Sequence, residues 1–236
     1  MEQTSPHEMH GARQERGLLK AIRELVFGAE DGLVSILGLV TGVAAGTTDT
    51  KTVLLAGVVG AVSGAISMAA GNYLGVKSHI EVLQRRMSEE AESIRHCPDH
   101  ERAELVDYYR ERGLTPSEVH MIVPAVMRNQ AFLMEEMAAH ELGISPGELE
   151  APASKAFWIF IAYIVAAVFP VLPYALFSHY LAMRVSIAST MIALFGVGAA
   201  KTAYTRRSWL KSGIEMLAIA MAAGLLGYLA GRMVHL

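Results

Sequence analysis

The sequence predicts an all-α membrane protein with five transmembrane helices and a cytoplasmic three-helix insert between helices two and three. Its 236 residues are 53% hydrophobic and only 18% charged, which is too apolar for an ordinary soluble domain of this length. A spanning helix needs about 20 largely apolar residues. Five uncharged segments reach that length alone or with flanking residues: Gly32–Thr48, Thr52–Val76, Ala156–Phe177, Val185–Ala200 and Met216–Gly231.

A charged segment separates the second span from the third. The first residues are polar and no apolar region follows them directly, so we expect no signal peptide and no regular structure up to about Gly17. The predicted parts are a cytoplasmic tail at 1–24, helices one and two at 25–77, the insert at 78–152, and helices three to five at 153–236.

Lysine and arginine in the short connections predict the orientation of the spans. They cluster before the first span and again between the fourth and fifth, whereas the connections on the opposite side carry few. Cytoplasmic connections are enriched in these residues. The tail, the insert and the loop around Arg206 are therefore predicted to be cytoplasmic, and the C-terminus lies on the far side. Short loops without a targeting segment favour a bacterial inner membrane.

The insert is acidic and is predicted to be helical. From Lys77 to Pro152 it holds 15 Asp and Glu against 8 Lys and Arg. Span two is predicted to continue as a helix to about Arg95. A second helix covers Asp99–Arg112 with Asp99 as its N-cap, and a third runs from Thr115 to Leu142, with a capping box at its start.

Carboxylates in the insert recur at helical spacing. Glu101 and Glu104 share one helix face, and Met137 and Glu141 lie one turn apart. Such groups suit hard or borderline divalent cations. The alternative is a solvated acidic surface, which is the favoured interpretation for any single glutamate.

Enzymatic functions are disfavoured by spacing. The paired Glu-x-x-His motif of di-iron bundles, the His-Glu-x-x-His zinc motif and a phosphate-binding Gly-Lys-Ser/Thr loop are all missing from the sequence. The single cysteine, Cys97, excludes an intrachain disulfide and a multi-cysteine zinc site. We therefore predict that the protein is not an enzyme, that it carries no prosthetic group, and that it has no nucleic-acid partner.

Asp31 is an acidic residue inside the first span. Burying its charge costs several kcal/mol unless a partner compensates. In a hairpin that turns near residues 49–50, Asp31 and Met68 are each about 18 residues from the turn and lie at one depth. A carboxylate and a thioether at one level could bind a borderline cation such as Fe²⁺. Alternatively, Glu30 and Asp31 are interfacial acids that face lipid headgroups.

Glycines recur mostly every fourth residue along the first two spans. Small residues at this spacing let membrane helices approach closely, so most of these glycines are predicted to form packing seams. Two prolines in the third span, Pro170 and Pro173, are predicted to kink or break that helix.

The chain resembles the vacuolar iron transporter family from Gly28 to its C-terminus. The resemblance rests on Asp31-Gly32-Leu33-Val34-Ser35 in the first span and on Gly64-Ala65-Ile66-Ser67-Met68-Ala69-Ala70-Gly71-Asn72-Tyr73 in the second. Glu141-Leu142-Gly143-Ile144 at the end of the insert is a less specific match.

The resemblance implies a homodimer in the lipid bilayer that exchanges Fe²⁺ or Mn²⁺ against protons along a path between the two first helices. Asp31 and Met68 would be ligands on this path. Metal would first be captured in the insert by Glu90, Glu101, Glu104, Met137 and Glu141, with weaker candidates at Glu89, Glu92, Glu135 and Glu136. Ser93 and Ala138 stand where further carboxylates are expected, and Gly60 stands where some members carry an acid.

Two function classes therefore stay open. The first is a transporter that removes divalent metal from the cytoplasm by proton antiport. The second is a membrane-anchored metal sensor or store, in which the insert binds cations and the spans only anchor and dimerise it. Metal flux into sealed vesicles distinguishes the two.

Overall fold

Eight helices make up the described part of the chain. The computed structural model describes the backbone of residues 6–141, 151–202 and 208–234, and the side chains of residues 22–137, 151–202 and 208–233. The helices are α1 (Pro6–Gly46), α2 (Thr50–His96), α3 (Pro98–Glu111), α4 (Pro116–Arg128), α5 (Gln130–Glu141), α6 (Pro152–Leu176), α7 (His179–Ala200) and α8 (Trp209–Val234).

Two compact units divide these helices. The first holds residues 1–73 and 152–236, and the second is Leu74–Ala151, which covers most of the predicted insert. Five of the described helices are long and apolar enough to span a membrane: Ile22–Gly46, Thr50–His96, Pro152–Leu176, His179–Ala200 and Trp209–Met233. The predicted fold class, an all-α membrane protein with five spans, is confirmed. The prediction that the chain has no regular structure up to about Gly17 was wrong, because α1 already begins at Pro6.

The glycines of α1 pack against α6 and α8. A Cβ at Gly32 would meet the backbone of Tyr163 on α6, and a Cβ at Gly42 would lie 2.8 Å from the carbonyl oxygen of Gly227 on α8. A Cβ at Gly227 would in turn collide with the carbonyl of Gly38. Both helices thus need glycine at this crossing, as in other close membrane-helix pairs. The predicted packing seam on α1 is confirmed.

The two prolines of α6 do not break it, because a serine on α7 compensates for the second. Pro173 has no N–H to donate to the carbonyl of Phe169, four residues earlier. Ser189 Oγ lies 3.1 Å from that carbonyl oxygen. Ser186 Oγ also donates to the carbonyl of Pro170, at 2.8 Å. Side-chain hydroxyls commonly satisfy backbone groups freed by proline in membrane helices. Of the two predicted alternatives, a kink or a break, the break was wrong, because α6 is continuous from Pro152 to Leu176.

The second unit has its own apolar core, built from the end of α2 and from α3, α4 and α5. Leu105, Val123 and Met137 are nearly inaccessible within it. Thr115 begins α4 with the predicted capping box, in which Thr115 and Glu118 each accept the other's backbone N–H. Gly113, in the turn before it, adopts φ +90°, a conformation that favours glycine.

Two predictions for the insert need correction. The third helix is divided at Asn129, whose backbone is extended and whose side chain accepts a hydrogen bond from the N–H of Phe132. Asn is a strong N-cap, so it begins α5 rather than continuing α4. The insert therefore has α3, α4 and α5 besides the end of α2. The start of α3 was also wrong, because Pro98 is its first residue and Cys97 its N-cap.

Candidate functional site

Asp31 on α1 is half-buried and lies beside two hydroxyl groups. Ser35, one turn later, donates a hydrogen bond from Oγ to Asp31 Oδ1 at 3.0 Å. Tyr163 on α6 interacts with the Ser35 side chain and lies within electrostatic range of Asp31. The Tyr163 side chain is 2% exposed, so its phenol places a polar group inside an otherwise apolar core. A carboxylate and two hydroxyls thus converge in the membrane unit.

The Gly64–Tyr73 motif of α2 meets this group through Gly64. A Cβ at Gly64 would collide with the hydroxyl of Tyr163, so glycine is what lets the phenol lie against α2. Met68 follows one turn later and packs, half-buried, against the core cluster that contains Tyr163 and Ala65. Tyr163 is therefore the residue that connects the Asp31 side of α1 with the Gly64–Met68 segment of α2.

The carboxylate lies on a face of α1 that the membrane unit leaves open. Phe27 and Leu39 are exposed on either side of it, and Ser35 between them is exposed as well. These residues recur every fourth position and form one stripe with Asp31. Exposed apolar side chains also line α2, at Leu55, Val58, Val59, Val62 and Ile66. The polar group is thus buried on its α6 side only.

Two carboxylates are buried in the part of the insert whose side chains the structure describes. Glu101 on α3 is 1% exposed and Glu90 on α2 is 8% exposed. Ser93, one turn after Glu90 on the same face of α2, donates a short hydrogen bond of 2.5 Å to Glu101 Oε1. The second oxygen, Oε2, is buried and has no hydrogen-bond partner among the described residues. A carboxylate in such a place needs a cation or a proton to offset its lost hydration.

The other candidate glutamates whose side chains the structure describes in the insert are paired or exposed. Glu104 Oε1 lies 3.2 Å from His100 Nε2, and Glu89 Oε1 lies 2.8 Å from Arg85 Nε. Glu136 accepts a hydrogen bond from the hydroxyl of Tyr109 at 2.9 Å. Burial of the phenol and this hydrogen bond raise the pKa of Tyr109 to about 12, so the phenol stays protonated and donates at neutral pH. Glu92 and Glu135 are exposed.

The predicted ligands do not form one cluster in the described part of the chain. No three histidine, cysteine or carboxylate side chains in residues 22–137, 151–202 and 208–233 are grouped so that they could hold a metal ion. Met137 lies inside the apolar core of the insert, 1% exposed. Glu141 is the last residue of α5, and its side chain lies outside the described ranges, as does the sequence motif that follows it.

Two residues of the site were missed by sequence reasoning. Tyr163 carries no local signal, because it is one aromatic residue among many apolar ones in the third span. Ser93 was noted only as a missing carboxylate, whereas the structure gives it the role of hydrogen-bond donor to Glu101. A search for polar side chains within predicted spans would have found Tyr163.

Comparison with known proteins agrees with this membrane architecture. Residues 22–232 match the model of the VIT family. The chain belongs to the VIT family. This VIT-family chain is 32% identical over 215 residues to vacuolar iron transporter 1 of Arabidopsis thaliana, which covers 91% of the chain and 86% of that protein. It is 33% identical over 187 residues to vacuolar iron transporter 2 of Oryza sativa subsp. japonica, with 79% and 76% covered. The family and these relatives are transporters, not enzymes.

Proposed function

We propose that this protein is a divalent-metal transporter that moves Fe²⁺ or Mn²⁺ out of the cytoplasm in exchange for protons. The observation that carries the proposal is the carboxylate of Asp31 in a membrane span, held by Ser35 and placed beside Tyr163. The curated relatives named above are iron transporters, which supports metal as the cargo. The excess of Lys and Arg in two connections supports a cytoplasmic tail and insert.

A second copy of the chain would complete the pathway. Asp31 lies on an outward stripe of α1 with Phe27, Ser35 and Leu39, and a carboxylate that faces lipid is costly. Pairing of two such stripes would bring two Asp31 carboxylates to one path and cover the exposed apolar face of α2. This arrangement supports a homodimer with the metal path between the two α1 helices, and Met68 of each subunit as a soft ligand.

Proton exchange would follow from the chemistry of Asp31. Ionised, it offers oxygen to a dehydrated cation, and protonated, it releases that cation. Two like charges at one site favour binding either a divalent ion or protons. The insert would act earlier, because Oε2 of the buried Glu101 carboxylate has no hydrogen-bond partner among the described residues, and a cytoplasmic cation would compensate its charge.

The test of the function is metal flux into proteoliposomes that contain the purified chain. When the vesicle lumen is more acidic than the outside, the rate of Fe²⁺ uptake under anaerobic conditions should be several-fold higher than the rate without a pH gradient. The lumen should become more alkaline as metal enters. Uptake that is independent of the gradient would contradict antiport but not transport. No uptake at all, with metal still bound to the protein, would favour the sensor or store, since that function needs no path.

We expect Met68→Leu to change the metal preference. Leucine nearly conserves the volume, so folding should be little affected. Sulfur favours the softer ion, so uptake of Fe²⁺ should fall more than uptake of Mn²⁺. Met87→Leu, a matched exchange on the same helix but within the insert, should leave the ratio of the two rates unchanged. An equal loss for both metals would argue that Met68 has only a packing role.

We expect Glu101→Gln to weaken metal capture by the insert. The amide keeps the acceptor for Ser93 and removes the buried charge, so affinity for Mn²⁺ in calorimetry should fall about tenfold or more. Glu111→Gln, the same exchange at an exposed position of α3, is the control. Unchanged binding by Glu101→Gln would leave the acidic residues of the insert as a solvated surface.

A further inference from the structure

A polar cavity of about 550 Å³ lies at the end of the membrane unit where α1 stops, α7 starts and α8 ends. Its lining residues with polar side chains are Thr47, Thr48, His179, Tyr180, Tyr228 and Arg232. None of the described residues that line it is acidic. Asp49, the carboxylate next in sequence, is engaged at the start of α2, where it accepts hydrogen bonds from Thr52 Oγ1 at 2.6 Å and from the N–H of Lys51.

The donors in this cavity have no anionic partner among the described residues. Arg232 is hydrogen-bonded only weakly, to the Tyr228 hydroxyl at 3.4 Å, and none of the ion pairs in the described part of the chain includes it. His179 Nδ1 is buried and has no hydrogen-bond partner among the described residues. A guanidinium, an imidazole and hydroxyls around one space suit a phosphate group.

An apolar groove of about 250 Å³ continues from this cavity between α1, α7 and α8. The two spaces share Met183 and Tyr228, and the groove is otherwise lined by side chains such as Leu37, Ile187, Met191 and Leu225. From His179 to Met191 the helix rises about 18 Å, slightly more than half of the roughly 30 Å hydrocarbon core. The groove thus has the length of one leaflet.

We propose that the cavity and groove together bind one anionic phospholipid. The phosphodiester would lie against Arg232 and His179, and an acyl chain would lie in the groove against Met183 and Ile187. Because none of the described residues that line the cavity carries a carboxylate to pair with a choline or ethanolamine cation, a headgroup that carries only hydroxyls fits best, as in phosphatidylglycerol. The site is separate from Asp31 and the pathway, and it would fix α8 to α1 and α7.

The test uses the full chain, purified in detergent and stripped of lipid. Added phosphatidylglycerol should raise its Tm by about 5 °C and remain bound in native mass spectrometry, as expected for a ligand well above its Kd. Phosphatidylcholine and inorganic phosphate should each raise the Tm much less. Arg232→Gln should lose most of the shift, whereas Arg184→Gln, an exposed arginine of α7 outside both spaces, should keep it.

A second variant tests the groove independently. Gly224 lines the groove, and a Cβ there would contact only Leu37, at 3.8 Å. Gly224→Leu should therefore fill the groove without displacing a helix and should abolish lipid retention. Gly196→Leu places the same bulk in a different apolar groove, beside Leu25 and Ala162, and should leave lipid retention unchanged. The proposal is overturned if both phospholipids act equally and Arg232→Gln has no effect, or if inorganic phosphate alone reproduces the shift.

Discussion

Asp31→Asn should lower the initial rate of metal uptake about tenfold or more, with the fold and the oligomeric state preserved. Asparagine keeps the size of aspartate and the oxygen that accepts the hydrogen bond from Ser35, at 3.0 Å in the native protein. It cannot offer a charged oxygen to a dehydrated cation, nor accept and release a proton. The measurement is Fe²⁺ and Mn²⁺ uptake into proteoliposomes per mole of protein, after size-exclusion chromatography.

Glu30→Gln is the matched control for this prediction. Glu30 is half-buried and adjacent in sequence, but none of the described hydrogen bonds or ion pairs places it beside Tyr163. Its variant should transport at a near-normal rate. If both variants lost uptake equally, the effect would not be specific to Asp31. If Asp31→Asn kept near-normal uptake, Asp31 and Glu30 would be interfacial acids, and the metal path would have to be sought elsewhere.

Gly227→Val should prevent α8 from packing on α1 and should leave little folded protein. A Cβ at Gly227 would collide with the carbonyl oxygen of Gly38 and lie 2.9 Å and 3.0 Å from its carbonyl carbon and Cα. Backbone cannot move aside as a side chain can, so the cost exceeds the roughly 1–3 kcal/mol of ordinary overpacking. The Tm of the purified variant, or its loss from the monodisperse peak, measures the effect.

Gly196→Val is the control for the glycine exchange. Gly196 is on α7, and a Cβ there would meet nothing within 4 Å. Its variant should unfold near the native Tm. A Gly227→Val protein as stable as this control would mean that α1 and α8 separate easily, which the close glycine crossing contradicts.

Features set by neighbours in the sequence were predictable. The five spans follow from runs of apolar residues, and the start of α4 follows from Thr115, Pro116 and Glu118, whose side chains act within one turn. The break between α4 and α5 at Asn129 was harder to predict, because asparagine is tolerated both within a helix and at its N-cap. Only the packing of α5 beyond it decides between them.

Features that join distant segments were not predictable. The glycine spacing on α1 indicates a close neighbour but does not say which helix that neighbour is, and the structure assigns α6 and α8. Tyr163 lies beside Asp31 and Gly64 although more than 90 residues separate it from either. The buried state of Glu101 likewise depends on α2, which a pattern of exposed-looking glutamates does not reveal.

The contact between Ser189 and the carbonyl opposite Pro173 has a consequence for how this family can vary. The proline alone would leave an acceptor unsatisfied in the bilayer, whereas the serine alone would not, because its hydroxyl also donates to the carbonyl of Ser186 within α7. If the proline is replaced first, the serine is no longer needed to satisfy the carbonyl of Phe169. If the serine is lost first, that carbonyl is left unsatisfied and the protein is less stable until the proline is replaced. Positions 173 and 189 should therefore change together among homologues, with the proline lost before the serine.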